Sequence, residues 1–513
     1  MPNWIGYRWL ANRYNIEPAQ PFRIDSQLAK ARSTQLVGHY THEFYPAHFK
    51  LADTFPSHMT FALKREGVHL EFLSRLFEVL PVSELDAWIN SEPSGQYARR
   101  TGFFYEWLTG RLLSFGGVSV GNYINALDEE LYLTATQPTN NARWRVRDNL
   151  PGVPAYCPIV CRTSIVRTAE IYNCAQRLRE LEIEYGEDLL MRSAVWLSVK
   201  ESSASFALER EEQHTDRIRR FAAVMEKRCG YYSNPLDEEV LTELQTEILG
   251  TQATHYGIRR SPVFVGSIDA NFAPVVHYVA PHWDDISPML AGLSAFAKRT
   301  VGQSPLLRAV VLSFGFIYIH PLADGNGRIS RFLINDVLRR DGALPAPFIL
   351  PISAAITNTA VNRRGYDRVL EIFSKPLMQY YLDQYHFGPK QVGADGIHYN
   401  LVFKAYEEAR SAWRYPDLTE HVEYLAQVVD LTINQEMRKE ASDLRDLRTA
   451  RAQIKEVIEG PDSEIDRIIR SVRNNDGKLS NKLGKSFPLL QKPEIGPKIV
   501  QIIQTIFNTK PRL

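Results

Sequence analysis

The chain has 513 residues, 44% of them hydrophobic and 23% charged, which is the balance of an ordinary globular protein with more than one domain. Its formal net charge of +1 argues against nucleic acid or a membrane as a partner. The sequence has no apolar run of the roughly 18 to 20 residues that span a membrane, and its N-terminus lacks the basic start and apolar core of a signal peptide. We therefore expect a cytoplasmic protein.

The four cysteines are too few for a disulfide scaffold in a chain of this length, and they fit a reducing compartment. Cys157 and Cys161 stand close together in the sequence, yet no paired Cys or His with zinc spacing lies near them. We interpret both as buried apolar residues.

Residues 1–165 are rich in aromatic side chains, and we predict a mixed but mostly helical region. Apolar residues recur at helical spacing in 70–80 (LEFLSRLFEVL) and in 102–113 (GFFYEWLTGRLL). Residues 137–158 are dense in Pro, Asn and Gly, which is typical of a loop or a domain boundary. The role of this region is open, because the sequence does not distinguish binding of DNA from binding of a protein partner.

Residues 166–390 form a second, mainly helical region. Its segments with helical periodicity are 167–185, 236–249, 286–299 and 305–319. One stretch differs: β-favouring runs at 263–268 and 275–279 flank the turn sequence DANFAP and predict a β-hairpin. Residues 391–513 are charged and helical without persistent heptads, so we predict a helical bundle that either forms a homodimer or recognises a partner. The fold class is mainly α.

Residues 320–331 read HPLADGNGRISR and concentrate groups that handle anions. An apolar helix runs into His320, and Pro321 favours a stop directly after it. Apolar residues at helical spacing then begin a second helix, so residues 325–327 form a tight turn at its N-terminus. Backbone N–H groups at such a turn, together with the helix dipole, bind anions such as phosphate.

Charged side chains of the same stretch complete a site for a polyphosphate. Arg328 and Arg331 stand three residues apart on the second helix and can both contact further phosphates. Asp324 can hold a Mg²⁺ ion that bridges phosphates, and His320 at the rim can take a proton. These parts predict transfer of part of a nucleotide to a hydroxyl; the alternative is a loop between two helices whose Asp and Asn only cap.

These twelve residues resemble the Fic motif, His-Pro-Phe-x-Asp/Glu-Gly-Asn-Gly-Arg-x-x-Arg. The departure is Leu322 in place of Phe, and Leu can also anchor the loop in the core. The resemblance extends over about 190 to 380, including the hairpin. It implies a Fic-type helical core with a β-hairpin flap in 166–390, between the two outer helical regions.

The Fic resemblance implies a protein adenylyltransferase that uses ATP and Mg²⁺. His320 would deprotonate a Ser, Thr or Tyr hydroxyl of a protein target, the hydroxyl would attack the α-phosphate, and AMP would stay on the target. Phosphotransferase relatives carry Lys where this chain has Gly327, so Gly327 favours AMP transfer. Asp324 would bind the metal, and the motif residues that would bind ATP are Asp324, Gly325, Asn326, Gly327, Arg328, Ile329, Ser330 and Arg331.

The resemblance also assigns a role to the hairpin at 261–281. In the Fic family this flap clamps the target segment by strand addition and aligns its hydroxyl with the catalytic His. Tyr366 fits an aromatic position near the adenine, although Asp367 and Ser374 depart from the neighbours expected there. The flap positions that match nucleotide contacts are Val275, Val276, His277 and Tyr278. The alternative is a structural hairpin packed on the domain.

The stretch SASFALER resembles the family's inhibitory helix, Ser/Thr-x-x-x-Glu-Gly/Asn. Ser205 and Glu209 fit this pattern, and Arg210 replaces its small residue. The resemblance implies that Glu209 pairs with Arg331 and blocks the productive position of the γ-phosphate. The alternative is a surface helix that carries one more Glu.

We therefore predict an autoinhibited AMP-transferring enzyme that acts on a protein target along the flap and also on itself. Three alternatives remain open at this point: transfer of another nucleotide such as UMP, removal of AMP at the same site, and a non-catalytic regulatory or binding module.

Overall fold

The computed structural model describes residues 3–118, 121–209, 211, 215–250, 255–268, 274–475 and 477–507. Helices dominate these ranges, with small sheets beside them, and the predicted mainly α class is confirmed. Among the described helices, none is both long enough and apolar enough to cross a membrane. The division of the chain at 165 and 390 stays a prediction.

The N-terminal region combines helices with small sheets. Its helices are α1 Tyr7–Tyr14, α2 Phe55–Phe61, α3 Leu70–Val79, α4 Val82–Ser91 and α5 Gln96–Thr109. Its strands are β1 Trp4–Ile5, β2 Ile24–Ala29, β3 Ser33–Val37, β4 Tyr40–Pro46, β5 Ile124–Asn125, β6 Thr139–Asn141 and β7 Val146–Asp148. The first sheet has the order β1-β2-β4-β3 with β2 parallel to β4, and the second has the order β5-β7-β6.

Two features of this region were not predicted from the sequence. The strands β2, β3 and β4 escaped prediction because all of β3 is exposed and β2 and β4 are mostly half-exposed, so no apolar alternation marks them. The helix predicted over 102–113 ends at Thr109, because Gly110 takes the left-handed φ of 67° that terminates a helix.

The central region contains the predicted helices and hairpin. Its helices are α6 Ser164–Glu170, α7 Cys174–Tyr185, α8 Glu187–Leu208, α9 Thr215–Arg228, α10 Glu238–Leu249, α11 Trp283–Arg299, α12 Pro305–Ile319, α13 Asn326–Arg340, α14 Ile352–Thr357 and α15 Ala360–Tyr380. The strands β8 Phe264–Ile268 and β9 Pro274–Val279 pair antiparallel, with a register shift between Val265 and Gly266. Residues 269–273 of the predicted turn lie outside the described residues.

The C-terminal region begins with a second hairpin. Its strands are β10 Tyr385–Val392 and β11 His398–Phe403, and its helices are α16 Tyr406–Arg414, α17 Thr419–Leu431, α18 Arg438–Lys455, α19 Asp462–Arg473, α20 Asn481–Ser486 and α21 Gly496–Phe507. The helices α18, α19 and α21 pack around a small apolar cluster that includes Ile465, Ile469 and Ile499. They form a short bundle, as predicted.

The site is positioned by α12, which is the most buried helix of the central region. Its sequence PLLRAVVLSFGFIYI is apolar on every face, so it is enclosed by neighbours, and it contacts α11, α13 and α17. The largest apolar cluster of the molecule surrounds it and runs from Ala19 to Ala441. The loop that joins α12 to α13 carries the first part of the HPLADGNGRISR stretch.

The cysteines agree with their interpretation as apolar residues. Cys157, Cys174 and Cys229 are buried, Cys161 is half-buried, and all four are free thiols. Burial raises the pKa of Cys161 to about 12, so this thiol stays protonated at neutral pH.

Candidate active site

His320 ends α12 in a left-handed conformation, with φ 49° and ψ 57°, and its ring is half-buried. The ring atom Nδ1 lies 3.1 Å from the carbonyl oxygen of Ile317. Because a carbonyl oxygen only accepts, Nδ1 carries the proton and Nε2 keeps its lone pair. Burial, together with the nearby Arg259 guanidinium, lowers the pKa of His320 to about 4. The neutral ring therefore offers Nε2 as a proton acceptor at neutral pH.

Arg259 is a site residue that sequence reasoning missed. Its guanidinium is fully buried and donates to three backbone carbonyls, those of His320 at 2.8 Å, Ser261 at 2.8 Å and Pro281 at 2.7 Å. It thereby ties both ends of the flap to the loop after α12. The sequence holds no signal for this role, because the neighbouring Arg260 is an exposed residue of the same type.

Side-chain amides hold the backbone of the loop between α12 and α13 by hydrogen bonds. Asn326 accepts from the backbone N–H of Leu322 at 3.0 Å and donates to its carbonyl at 2.7 Å, and Leu322 is fully buried as expected. Gln245 of α10 donates to the carbonyl of Asp324 at 2.9 Å. Gly325 takes a φ of 89° and caps α13, so the first N–H groups of α13 are left without intrahelical acceptors. N–H groups in this position at a helix N-terminus can bind an anion.

Asp324 presents a half-exposed carboxylate beside this helix start. Its Oδ1 accepts from Arg328 Nη2 at 2.7 Å and from the backbone N–H of Gly325 at 2.6 Å. These bonds leave Oδ2 for a further ligand. Within the described ranges no three Asp, Glu, His or Cys side chains converge as a metal cage. One carboxylate fits Mg²⁺ when phosphate oxygens supply other ligands, since Mg²⁺ at phosphate sites is commonly held in that way.

Glu209, which caps the C-terminal end of α8, contacts Arg331 of α13. Its Oε1 accepts from Arg331 Nη2 at 2.7 Å, and Ser205 Oγ accepts from Arg331 Nε at 2.7 Å. Burial would raise the pKa of Glu209, but the charge and hydrogen bond of Arg331 outweigh it and hold that pKa below its usual value. Glu209 and Arg331 are therefore in contact, and the inhibitory role of this pair stays a prediction. Arg210, the departure from the pattern, lies outside the described residues.

The Glu209 carboxylate also covers the start of α13. A Cβ placed on Gly327 would meet Glu209 Oε1 at 2.2 Å. The carboxylate thus occupies the space directly over the glycine, where the exposed N–H groups of the helix would otherwise receive an anion. Glu209 therefore occupies both the Arg331 guanidinium and the backbone N–H surface at Gly327, to which a phosphate could otherwise bind.

A second carboxylate, which sequence reasoning missed, engages the other arginine of the motif. Glu211 Oε2 accepts from Arg328 Nη1 at 2.8 Å, and the Arg328 guanidinium lies 5.0 Å from the centre of the Phe206 ring. Arg328 is 2% exposed as a side chain. Both motif arginines are therefore held by the chain that follows α8. The sequence does contain the run LEREE, but nothing in it distinguishes Glu211 from a solvent-exposed Glu.

The remaining predicted residues of α13 and α15 occupy different surroundings. Ile329 is fully buried in the apolar core, and Ser330 Oγ donates to the carbonyl of Gly327 at 2.8 Å. Tyr366 is half-buried, lies 6.4 Å from the ring of Tyr424, and has a pKa raised by burial and lowered in part by Arg331. Tyr366 is thus near the phosphate end of the site, and its role toward adenine stays a prediction.

The four predicted flap residues alternate along β9. Val276 and Tyr278 are buried, and the Tyr278 hydroxyl donates to the carbonyl of Tyr318 on α12. Val275 and His277 are exposed, and His277 Nε2 lies 2.8 Å from Ser267 Oγ on β8. Because side chains alternate along a strand, Val275 and His277 face outward and are accessible, whereas Val276 and Tyr278 pack the hairpin against the domain.

Comparisons with known proteins agree with the motif. A family model described as "Fic/DOC family" matches residues 235–338. The chain is similar to "Protein adenylyltransferase fic-1" of Caenorhabditis elegans, with 32% identity over 146 residues, which is 27% of each protein. It is also similar to a Fido domain-containing protein of Dictyostelium discoideum, with 40% identity over 74 residues, which is 14% of this chain and 50% of that protein.

A solved structure of a Fic family protein from Desulfovibrio desulfuricans is 18% identical, covers 64% of this chain and 84% of its own, and has a TM-score of 0.36. The chain spans 27% of the length of the nematode relative. The family match contains His320, the loop and most of α13, but it does not reach α8. Residues 235–338 of this chain therefore form a Fic/DOC domain.

Proposed function

We propose that this protein transfers AMP from ATP to a Ser, Thr or Tyr hydroxyl of a protein target. The observation that carries the proposal is the position of a neutral His320, with Nδ1 occupied and Nε2 available, beside the N-terminal start of α13. The similar protein of Caenorhabditis elegans is named a protein adenylyltransferase, which supports the same chemistry.

In the proposed reaction, Nε2 of His320 accepts the proton of the target hydroxyl as its oxygen forms a bond to the α-phosphorus. The bond from that phosphorus to the bridging oxygen breaks, and pyrophosphate leaves. The first N–H groups of α13 stabilise the charge on the α-phosphate, and Arg328 and Arg331 hold the outer phosphates. Mg²⁺ bound by Asp324 would supply further neutralisation of phosphate charge.

We further propose that Glu209 inhibits this reaction. Its carboxylate competes with phosphate for Arg331 and for the space above Gly327. Nucleotide that binds while Glu209 stays in place has to do so with its phosphates displaced, and a misplacement of about 1 Å can cost roughly 10²-fold in rate. The inhibitory effect rests on charge competition at a buried guanidinium, where screening by water is weak.

The flap is the proposed site of target binding. The side chains from Val265 to Ile268 on β8 are exposed, and each outer edge of a two-stranded hairpin has backbone groups available to an extended chain. Arg259 holds the base of this hairpin against the loop that carries His320. An extended segment added to the flap would therefore be placed in a fixed relation to the base.

The test is incorporation of label from α-³²P-ATP into proteins of a cell extract and into the enzyme itself. Wild type, Glu209→Gly and the double variant Glu209→Gly/His320→Ala are compared at equal concentration. We expect weak labelling by wild type, strong labelling by Glu209→Gly and none above background by the double variant. Label from γ-³²P-ATP instead of α-³²P-ATP would show phosphate transfer and overturn the proposal.

A further inference from the structure

A large cavity lies between the N-terminal region and α17, and none of its lining residues belongs to the stretch 320–331. Its volume is about 930 Å³, within the range of small-molecule sites. Residues of α5, of the segment around His69 and of the chain near Asp417 line it. None of the residues assigned to the AMP-transfer site takes part in its wall.

Arg100 of α5 is a buried cation in the wall of this cavity. The residue is 7% exposed, and its Nε and Nη2 both donate to one backbone carbonyl, that of Ala126, at 3.1 Å and 2.7 Å. Within the described part of the chain, no carboxylate oxygen lies within 4.0 Å of its guanidinium nitrogens. Burial lowers the pKa of Arg100, which is the expected response of a cation without a partner.

Other arginines of the molecule show how such a charge is ordinarily satisfied. In the same cavity, Arg23 pairs with Asp417 at 2.9 Å and Arg162 pairs with Glu170 at 2.7 Å. Arg259 lacks a carboxylate but donates to three different carbonyls. Arg100 has neither arrangement, although it faces a space large enough for a ligand.

Two acids line the cavity near Arg100 without forming an ion pair with it. The charge of Asp128 acts to raise the pKa of Arg100, but its carboxylate oxygens lie more than 4.0 Å from the guanidinium nitrogens. Glu66 also lines the cavity, but its Oε2 accepts from the backbone N–H of Tyr7 at 2.7 Å. Burial raises the pKa of Glu66 to about 8, so this side chain is mostly uncharged at pH 7. Arg100 therefore has no carboxylate within ion-pair distance among the described residues of the cavity wall.

We propose that this cavity binds a small molecule that carries a carboxylate or a phosphate on a flat apolar body, with the anion on the Nη1 side of Arg100. The anion would complete the hydrogen bonding of the guanidinium in a fork geometry. The flat body is favoured because rings of Tyr7, Tyr97 and Tyr132 line the same part of the cavity. This site is separate from the AMP-transfer site and does not depend on that proposal.

The experiment uses the full chain and two probes, sodium benzoate and phenyl phosphate, which share a ring and differ in the anion. Binding is measured by calorimetric titration and by the rise in Tm at constant ionic strength, with benzyl alcohol and sodium chloride as controls. The variants are Arg100→Gln and, as a matched control in the same cavity, Arg162→Gln. We expect saturable binding of at least one probe to wild type, and the probe that binds identifies the anion.

The Kd should rise by at least about tenfold in Arg100→Gln and by less than about twofold in Arg162→Gln, because only the first substitution removes an unpaired cation. Phenyl phosphate bound at the start of α13 instead would be unaffected by Arg100→Gln. Absence of saturable binding by both probes, or equal binding in wild type and Arg100→Gln, overturns the proposal.

A measurement on wild type decides the matter if Arg100→Gln does not fold. Photolabelling with 4-azidobenzoate, followed by peptide mapping, should modify peptides that contain Tyr97 or Tyr132, and excess benzoate should suppress it. Labelling confined to other peptides contradicts the proposed site.

Discussion

Two segments meet at the candidate active site and are built in opposite ways. The loop at 320–327 is fixed by its own bonds: Asn326 closes it on Leu322, and Arg259 holds the carbonyl of His320. The segment at 205–211 contacts the site through side chains, with Glu209 on Arg331 and Glu211 on Arg328. In the proposed function the first segment is preorganised for the nucleotide, and the second occupies the contacts that the nucleotide would make.

This difference indicates which contacts of the site a bound phosphate could replace. Removing the bonds of the loop would leave buried amide and carbonyl groups unsatisfied, which is costly. Replacing Glu209 or Glu211 by phosphate oxygens leaves each arginine with an anionic partner, so the exchange costs far less. Regulation is therefore expected in the segment after α8, and catalysis in the loop.

The largest effect is expected at the loop. His320→Ala, made in the Glu209→Gly background, should lower the rate of AMP transfer by roughly 10² to 10⁴-fold, because no group is left to take the hydroxyl proton. ATP binding, measured by equilibrium dialysis, should change little. The matched control is His398→Ala on the exposed part of β11. An equal loss of rate in both variants would remove the special role of His320.

Gly327→Lys tests the space at the start of α13, and the loss expected is about 10²-fold or more, since the reacting phosphate is displaced. The new side chain would meet the Glu209 carboxylate, because a Cβ at this position lies 2.2 Å from its Oε1. The substitution should therefore be made in the Glu209→Gly background, where a loss of AMP transfer reflects the cradle alone. A normal rate there would place the α-phosphate elsewhere.

Glu209→Gly tests whether the contact of Glu209 with Arg331 inhibits AMP transfer. Freeing Arg331 and the surface above Gly327 should raise self-labelling by up to roughly 10²-fold, which is the scale of a positioning error of about 1 Å. Ser205→Ala is the companion variant, because Ser205 holds the same guanidinium without bearing charge, and its effect should be smaller. Labelling by Glu209→Gly at or below the wild-type level means that the end of α8 is structural.

The sequence predicted the loop because its parts are local: a base, a glycine turn and two arginines fall within residues 320–331. It predicted the pair of Glu209 with Arg331 only through the resemblance of SASFALER to the inhibitory helix of the Fic family. It missed Arg259 and Glu211, since their partners lie far away in the chain and no sequence pattern distinguishes either residue from an ordinary surface charge. It also missed β3, whose side chains are all exposed, because prediction of a strand depends on one apolar face.

A smaller effect is expected for Glu211→Gln in the segment after α8. Arg328 keeps Asp324 as a partner when Glu211 is neutralised, so the guanidinium is only partly freed. We expect self-labelling to rise by about two- to fivefold alone, and further in the double variant with Glu209→Gly, since charged hydrogen bonds of this kind contribute about 1.5–3 kcal/mol before competition. The exposed Glu464 provides the control, as Glu464→Gln. A lower rate in Glu211→Gln would instead assign Glu211 to positioning Arg328 for catalysis.

The pH dependence of stability tests the packing of α12, the helix that leads into the loop. His421 of α17 is fully buried, and its Nε2 lies 2.6 Å from the hydroxyl of Tyr318 on α12. Burial lowers the pKa of His421 to about 3, so the folded protein keeps this ring neutral while the unfolded chain takes up a proton below about pH 6.5. Stability is therefore lost as the pH falls, at about 1.4 kcal/mol per pH unit for this one group. In His421→Gln the Tm should be lower at pH 7 but should fall less steeply between pH 6 and pH 4. An unchanged slope, matching that of His398→Gln, would show that His421 does not titrate on unfolding and that the core beneath the loop admits the charged ring.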